Sequence, residues 1–159
     1  MKALHLALLT TALLLPTAGK ADNDRSARLQ YILHCAGCHQ SDGHGATHSG
    51  VPDMRGQLGH FVKVPEGRAF LVKVPGSSNS ALNNAELTRL LNWMLQSFAP
   101  ANLPPDFVPY TESEVTALRS APLDDVAGAR AAVVTRLAER GISIRSEERR
   151  VGKECRSRW

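Results

Sequence analysis

The chain has 159 residues, of which 43% are hydrophobic and 21% are charged, and this size predicts one domain or one domain with an appendage. The net charge of +4 comes from the two ends, since residues 22–144 hold 11 basic against 12 acidic residues. Because this central part has no basic stripe, its composition argues against nucleic-acid binding.

Residues 1–21 have the pattern of a cleaved signal peptide. Lys2 provides a basic start, residues 3–15 are almost wholly apolar, and Gly19-Lys20-Ala21 is a small-x-small cleavage site. The alternative is a membrane anchor, but the apolar run is too short to span a bilayer comfortably. We therefore expect an exported protein with no membrane span after signal cleavage.

The first helix of the mature chain is predicted over residues 24–34. Asp24 is expected to cap its first amides. Leu29, Ile32 and Leu33 recur at helical spacing and share one apolar face. The helix leads directly into a cluster of two cysteines and a histidine.

This cluster, Cys35-Ala36-Gly37-Cys38-His39, has the C-x-x-C-H spacing of a haem-attachment motif. Two thiols three positions apart can each add to one vinyl group of the same porphyrin, and the adjacent imidazole can then bind the iron. The sequence therefore predicts one covalent haem c, attached through Cys35 and Cys38, with His39 as the proximal iron ligand.

Two other kinds of site share the C-x-x-C pattern. A zinc site needs a second ligand pair at similar spacing, and none follows in the sequence. A thioredoxin-like dithiol follows a strand in a βαβ unit, whereas the stretch before Cys35 is predicted as helix. The trailing His39 and the predicted export favour haem.

The region after the motif is less clearly patterned. Residues 40–59 are predicted as a glycine-rich loop. Residues 61–74 fit either two short extended pieces, with turns at Pro65-Glu66-Gly67 and Pro75-Gly76, or a loose helix followed by a loop. The pattern leaves both alternatives open.

The strongest helix is predicted from Asn83 to Phe98. Asn83 and Glu86 have the spacing of a capping box, in which each side chain binds the other residue's backbone amide. Large apolar residues then recur at helical spacing, and Ala99-Pro100 is expected to end the helix.

Residues 100–144 are predicted as a proline-rich linker and a helical arm. A second capping-box pattern begins a short helix at Thr111, and a last helix runs from about Asp124 to Glu139. The apolar stripe of this last helix consists of Val126, Ala129, Val133 and Leu137. Because the arm has too few large apolar residues to fold alone, we expect it to pack against the preceding domain or a partner.

Residues 145–159 differ in composition from everything before them. They are rich in arginine, carry no apolar periodicity and leave Cys155 without an obvious setting. They resemble translated vector or adapter sequence, and we hypothesise that they are not native. A basic docking tail is the alternative.

Residues 24–98 resemble a class I cytochrome c domain. The cysteine–histidine motif ends an N-terminal helix, Pro52-Asp53-Met54-Arg55-Gly56 is similar to the family's Pro-x-Leu-x-Gly segment, and Leu82–Phe98 is similar to its C-terminal helix. The resemblance implies a mainly α fold, with a cytochrome c-like haem domain over residues 22–99 and a C-terminal helical extension. It also implies that the Pro52 carbonyl accepts a hydrogen bond from the His39 imidazole.

The sequence departs from the family at the sixth iron ligand. The family usually places a Met-Pro pair before its last helix, but here that position reads Val74-Pro75-Gly76. Three states remain open: His60 as the distal ligand, Met54 as the distal ligand, or an iron with water or nothing bound there. Met94 lies on the apolar stripe of the last helix of this domain and is expected in the core.

These features lead us to expect a periplasmic electron carrier. It would pass single electrons through its haem, from a partner such as a periplasmic dehydrogenase to a respiratory acceptor, without itself being an enzyme. The alternative is a haem enzyme or ligand sensor with an open distal site. A third possibility is a haem-bearing subunit whose arm assembles a larger complex.

Overall fold

The computed structural model describes residues 18–145, and this part of the chain is mainly helical, as predicted. Its helices are α1 (Ala18–His34), α2 (Ala36–His39), α3 (Leu58–Phe61), α4 (Pro65–Lys73), α5 (Pro75–Ser78), α6 (Asn84–Phe98), α7 (Glu112–Arg119) and α8 (Val126–Ala138). Within these residues there is no strand, only an isolated antiparallel bridge between Ala46 and Val51.

Two predicted segments fall mostly outside the described residues. Of the signal peptide predicted over 1–21, only residues 18–21 are described, and they form the first turn of α1. Of the tail predicted over 145–159, only Arg145 is described. No helix in the described range is long and apolar enough to cross a membrane.

Helix α1 packs on α6 through a face that the sequence analysis did not predict. The expected apolar face is wrong, because Leu29 and Leu33 are 58% and 75% exposed. The buried side chains are instead Ala27 and Tyr31, which lie four residues apart. A small residue and a large aromatic at this spacing let the two helices approach closely while one ring fills the interface.

The start of α1 also differs from the prediction. The helix begins at Ala18, so Asp24 lies in its interior and is not its N-cap. Residues 18–23 include Ala18, Lys20 and Ala21, which favour a helix, and no proline interrupts them.

Helix α6 is the centre of the core, and its predicted capping box is confirmed. The Asn83 side chain accepts a hydrogen bond from the Glu86 amide, the Glu86 carboxylate accepts one from the Asn83 amide, and both measure 2.9 Å. Its buried side chains include Leu87, Leu90, Leu91, Met94 and Leu95. The helix ends at Phe98, as predicted.

The ambiguous region is helical, so the extended alternative and the two predicted turns are wrong. Pro65 and Pro75 each begin a helix, α4 and α5, at its first position. Proline suits this position because its φ is already helical and its missing N–H would have no partner there. Gly59, predicted as loop, lies inside α3.

The extension packs against the preceding helices. Val115 of α7 and Val133 and Leu137 of α8 are buried in one cluster with the apolar side chains of α6. The side chain of Arg119 reinforces this packing, since it donates hydrogen bonds to the backbone carbonyls of three residues before α6. These are Ser78, Ser80 and Leu82, at 2.8, 2.5 and 2.6 Å.

Helix α7 begins with half of the predicted capping box. The Thr111 hydroxyl accepts a hydrogen bond from the Glu114 amide at 3.2 Å. The Glu114 carboxylate does not return the bond, because it pairs with the guanidinium of Arg68 on α4 at 2.6 and 2.8 Å. A long-range ion pair therefore replaces the second local cap.

Candidate functional site

The two cysteines and the histidine of the predicted haem motif lie on one helical turn. The amide of Cys35 donates to the Tyr31 carbonyl at 2.8 Å, so Cys35 continues the hydrogen bonding of α1. The amides of Cys38 and His39 both donate to the Cys35 carbonyl, at 3.2 and 2.9 Å. Residues at i, i+3 and i+4 of such a turn share one side, so the structure brings the three predicted residues together.

Both thiols are free, and they lie in different surroundings. Cys38 is exposed and Cys35 is half-buried. Burial raises the pKa of the Cys35 thiol to about 11, so this thiol is protonated at neutral pH. A redox dithiol depends on a lowered thiol pKa, and the surroundings of Cys35 act in the opposite direction.

The zinc alternative lacks a ligand set in the described part of the chain. Among residues 18–145, no group of three or more histidine, cysteine, aspartate or glutamate side chains is placed to hold a metal ion.

The His39 imidazole is half-buried, and its Nδ1 atom is buried without a hydrogen-bond partner. Burial lowers the pKa of His39, whereas the nearby backbone of Pro52 raises it. The cytochrome resemblance implies a hydrogen bond from this imidazole to the Pro52 carbonyl. Within the described residues that bond is not formed, because Nδ1 of His39 has no partner in hydrogen-bonding geometry.

A tight loop holds Pro52 beside this histidine. The Tyr31 hydroxyl donates to the Gln40 carbonyl at 2.6 Å, and the Gly45 amide donates to the His39 carbonyl at 3.0 Å. Gly45 has a φ of +71°, and a side chain there would overlap the Pro52 carbonyl. The loop can therefore close around the histidine only because residue 45 is glycine.

Tyr31 and Gly45 were missed by the sequence analysis. The sequence carried one signal for Tyr31, since it lies four residues before Cys35 and thus on the same side of a helix. Gly45 had no distinguishing signal, because it is one of several glycines in its loop.

The two sixth-ligand candidates lie in the segment that follows Pro52. Met54 is buried in the core cluster and 7% exposed. His60 is half-buried on α3, and its Nδ1 is a buried polar atom without a partner, as is that of His39. Burial, followed by the charge of Lys63, lowers the pKa of His60.

Within the described residues, neither Met54 nor His60 forms a side-chain hydrogen bond with Cys35, Cys38 or His39. His44 and His48, which follow the motif in sequence, are both exposed, and His44 is paired with Asp42 at 2.6 Å. Met94 is buried on α6, as expected of a core residue.

The residues present fit a covalently attached haem. Two free thiols and an imidazole share one helical turn, and these are the groups that thioether attachment and axial ligation need. No protein-family model, no characterised protein and no solved structure matches this chain.

Proposed function

We propose that the protein is an exported c-type cytochrome that carries single electrons through one covalent haem. Cys35 and Cys38 would hold the haem by thioether bonds, and His39 would be the proximal iron ligand. The observation that carries this proposal is the single turn on which both free thiols and the His39 imidazole lie. Bound by these residues, a haem would supply an iron centre that can take up and release one electron.

The remaining residues of the site would orient and shield this centre. Tyr31 joins the end of α1 to α6 through its ring and to the Gln40 carbonyl through its hydroxyl, and would thereby hold the turn that carries the haem. Pro52 would accept a hydrogen bond from the His39 ring once haem is attached and so orient it, as groups behind a metal ligand commonly do. The proposed fold is a cytochrome c-like domain over residues 22–99 with the helical extension packed on it.

The proposed partners follow from the predicted export. A periplasmic dehydrogenase would supply the electron, and a respiratory acceptor would receive it. Residues 22–144 are close to neutral, so we expect modest electrostatic steering and a weak dependence of the electron-transfer rate on ionic strength.

The test is expression in a host with periplasmic haem maturation, followed by haem staining of a denaturing gel and absorption spectra. Wild type is expected to retain haem under denaturing conditions, and the double variant Cys35→Ala/Cys38→Ala to lose it. Cys155→Ala is the matched control, because it removes the third cysteine and is expected to leave haem attachment intact. Absence of covalent haem in wild type, or its persistence in the double variant, contradicts the proposal.

A haem enzyme or ligand sensor with an open distal site is the second candidate. The observation that favours it is that both described methionines, Met54 and Met94, are buried in the core at 7% and 9% exposure. Adding carbon monoxide to the reduced protein distinguishes an electron carrier from a haem enzyme or ligand sensor. An electron carrier with two firm ligands shows no spectral change, and His60→Gln or Met54→Leu then opens the site. A spectral change in wild type, together with peroxide turnover, supports the enzyme or sensor.

A further inference from the structure

A separate cleft lies where the extension meets the preceding helices. It has a volume of about 530 Å³ and is bordered by α4, by residues 104–108 and by the chain after α8. This volume lies in the range of small-molecule sites in proteins. None of Cys35, Cys38 and His39 lines it, so it is distinct from the proposed haem site.

Three cationic side chains line this cleft, and two of them form no salt bridge within the described residues. Arg68 is fully engaged, because it binds the Glu114 carboxylate at 2.6 and 2.8 Å and the Val108 carbonyl at 2.8 Å. Arg140 donates one N–H to the backbone carbonyl of Lys63 at 2.7 Å, so its guanidinium lies at the backbone of Lys63. Within residues 18–145, neither Arg140 nor Lys63 forms a salt bridge.

Apolar side chains also line the cleft. Val62, Phe107, Val108 and Ile142 contribute to its walls, together with two prolines. Val108 is 67% exposed and adds apolar surface to the cleft. Asp106 is the one acidic residue among the described residues that line the cleft.

We propose that this cleft binds a small organic carboxylate with a flat apolar body. The planar guanidinium of Arg140 matches a carboxylate in shape and charge, and Lys63 adds a second positive charge to the lining of the cleft. The apolar walls favour an apolar body over a compact, strongly hydrated anion such as phosphate. The binding of such an acid does not depend on the haem proposal.

Three probes of related shape or charge test this proposal on the full chain. Naphthalene-2-carboxylate has both features, naphthalene-2-carboxamide has the body without the charge, and inorganic phosphate has the charge without the body. We expect calorimetry to show binding of the carboxylate at least tenfold tighter than of either other probe. In ¹H–¹⁵N NMR spectra, the amide signals of Lys63, Val108 and Ile142 should shift on its addition.

Two variants and a matched control locate the binding. Arg140→Gln and Lys63→Gln are each expected to weaken carboxylate binding about tenfold, because each removes a charge-assisted contact. Arg140→Lys should retain part of the affinity. Arg89→Gln removes one charge from an exposed position on α6 and should leave binding unchanged.

The proposal is overturned by any of three results. These are equal binding of the carboxylate and the carboxamide, equal binding of phosphate, and a loss of affinity in Arg89→Gln as large as in Arg140→Gln. Absence of measurable carboxylate binding at millimolar concentration overturns it as well.

Discussion

Gly45 decides whether the loop can close around His39. Its φ of +71° disfavours any side chain, and a Cβ atom would lie 2.6 Å from the Val51 carbonyl oxygen and still closer to that of Pro52. We expect Gly45→Ala to lower the free energy of unfolding by about 3 kcal/mol or more, since it combines an unfavourable φ with backbone overlap. Urea denaturation followed by circular dichroism measures the change.

Gly50→Ala is the matched control for this prediction. Gly50 has a similar φ of +77°, but nothing lies within 4 Å of its Cβ position. It should therefore show only the conformational cost of a left-handed residue, about 1–2 kcal/mol. Equal destabilisation by the two substitutions would show that the overlap with Pro52 is unimportant.

What the sequence could predict about single residues depended on the distance over which each residue acts. The cap formed by Asn83 and Glu86 follows from a spacing of three residues, so the pattern alone was enough to predict it. The importance of Gly45 depends on a carbonyl seven residues away across a loop. Local pattern carries no information about such an approach.

At the scale of elements, α1 shows that helical periodicity identifies a helix without identifying its buried side. Leu29, Ile32 and Leu33 form a regular apolar stripe, yet they are exposed. Tyr31 is fully buried because its ring contacts Trp93 and Phe98 on α6, with ring centres 5.6 and 5.0 Å away. The side that faces the core was set by a partner helix about sixty residues later in the chain, which a local pattern cannot include.

Substitutions on the two sides of α1 test this orientation. Tyr31→Leu should destabilise the protein by about 2–4 kcal/mol, because it removes a buried ring and the hydrogen bond to Gln40. Leu33→Gln should change stability by less than about 0.5 kcal/mol, since Leu33 is 75% exposed. Thermal unfolding of both variants measures the difference. A larger loss in Leu33→Gln would place the buried side of α1 on the leucine stripe.

At the scale of the whole molecule, the extension shares one core with the rest of the described chain. Few of its side chains are large and apolar, which led the sequence analysis to expect packing against another surface. The structure supplies that surface in α4 and α6, and polar contacts fix the orientation. Arg119 binds three carbonyls before α6, and Arg68 on α4 binds Glu114 on α7. The sequence pattern did not indicate that Arg119 and Arg68 hold the extension in place, because each binds a group 30 or more residues away in the chain.

The ion pair between Arg68 and Glu114 makes the attachment of the extension dependent on pH. Hydrogen bonds from Arg68 lower the pKa of Glu114 below its ordinary value of 4.5, despite partial burial. A lowered carboxyl pKa contributes stability that is fully present above the unfolded-state pKa and is lost as pH falls through the folded-state pKa. Glu114→Gln should therefore lower the urea midpoint clearly at pH 7 and progressively less below about pH 4.

Glu112→Gln, on the exposed side of α7, is the control and should leave the midpoint nearly unchanged at pH 7. A deficit of Glu114→Gln that stays constant or grows as pH falls would show that the Glu114 carboxylate does not hold the extension in place.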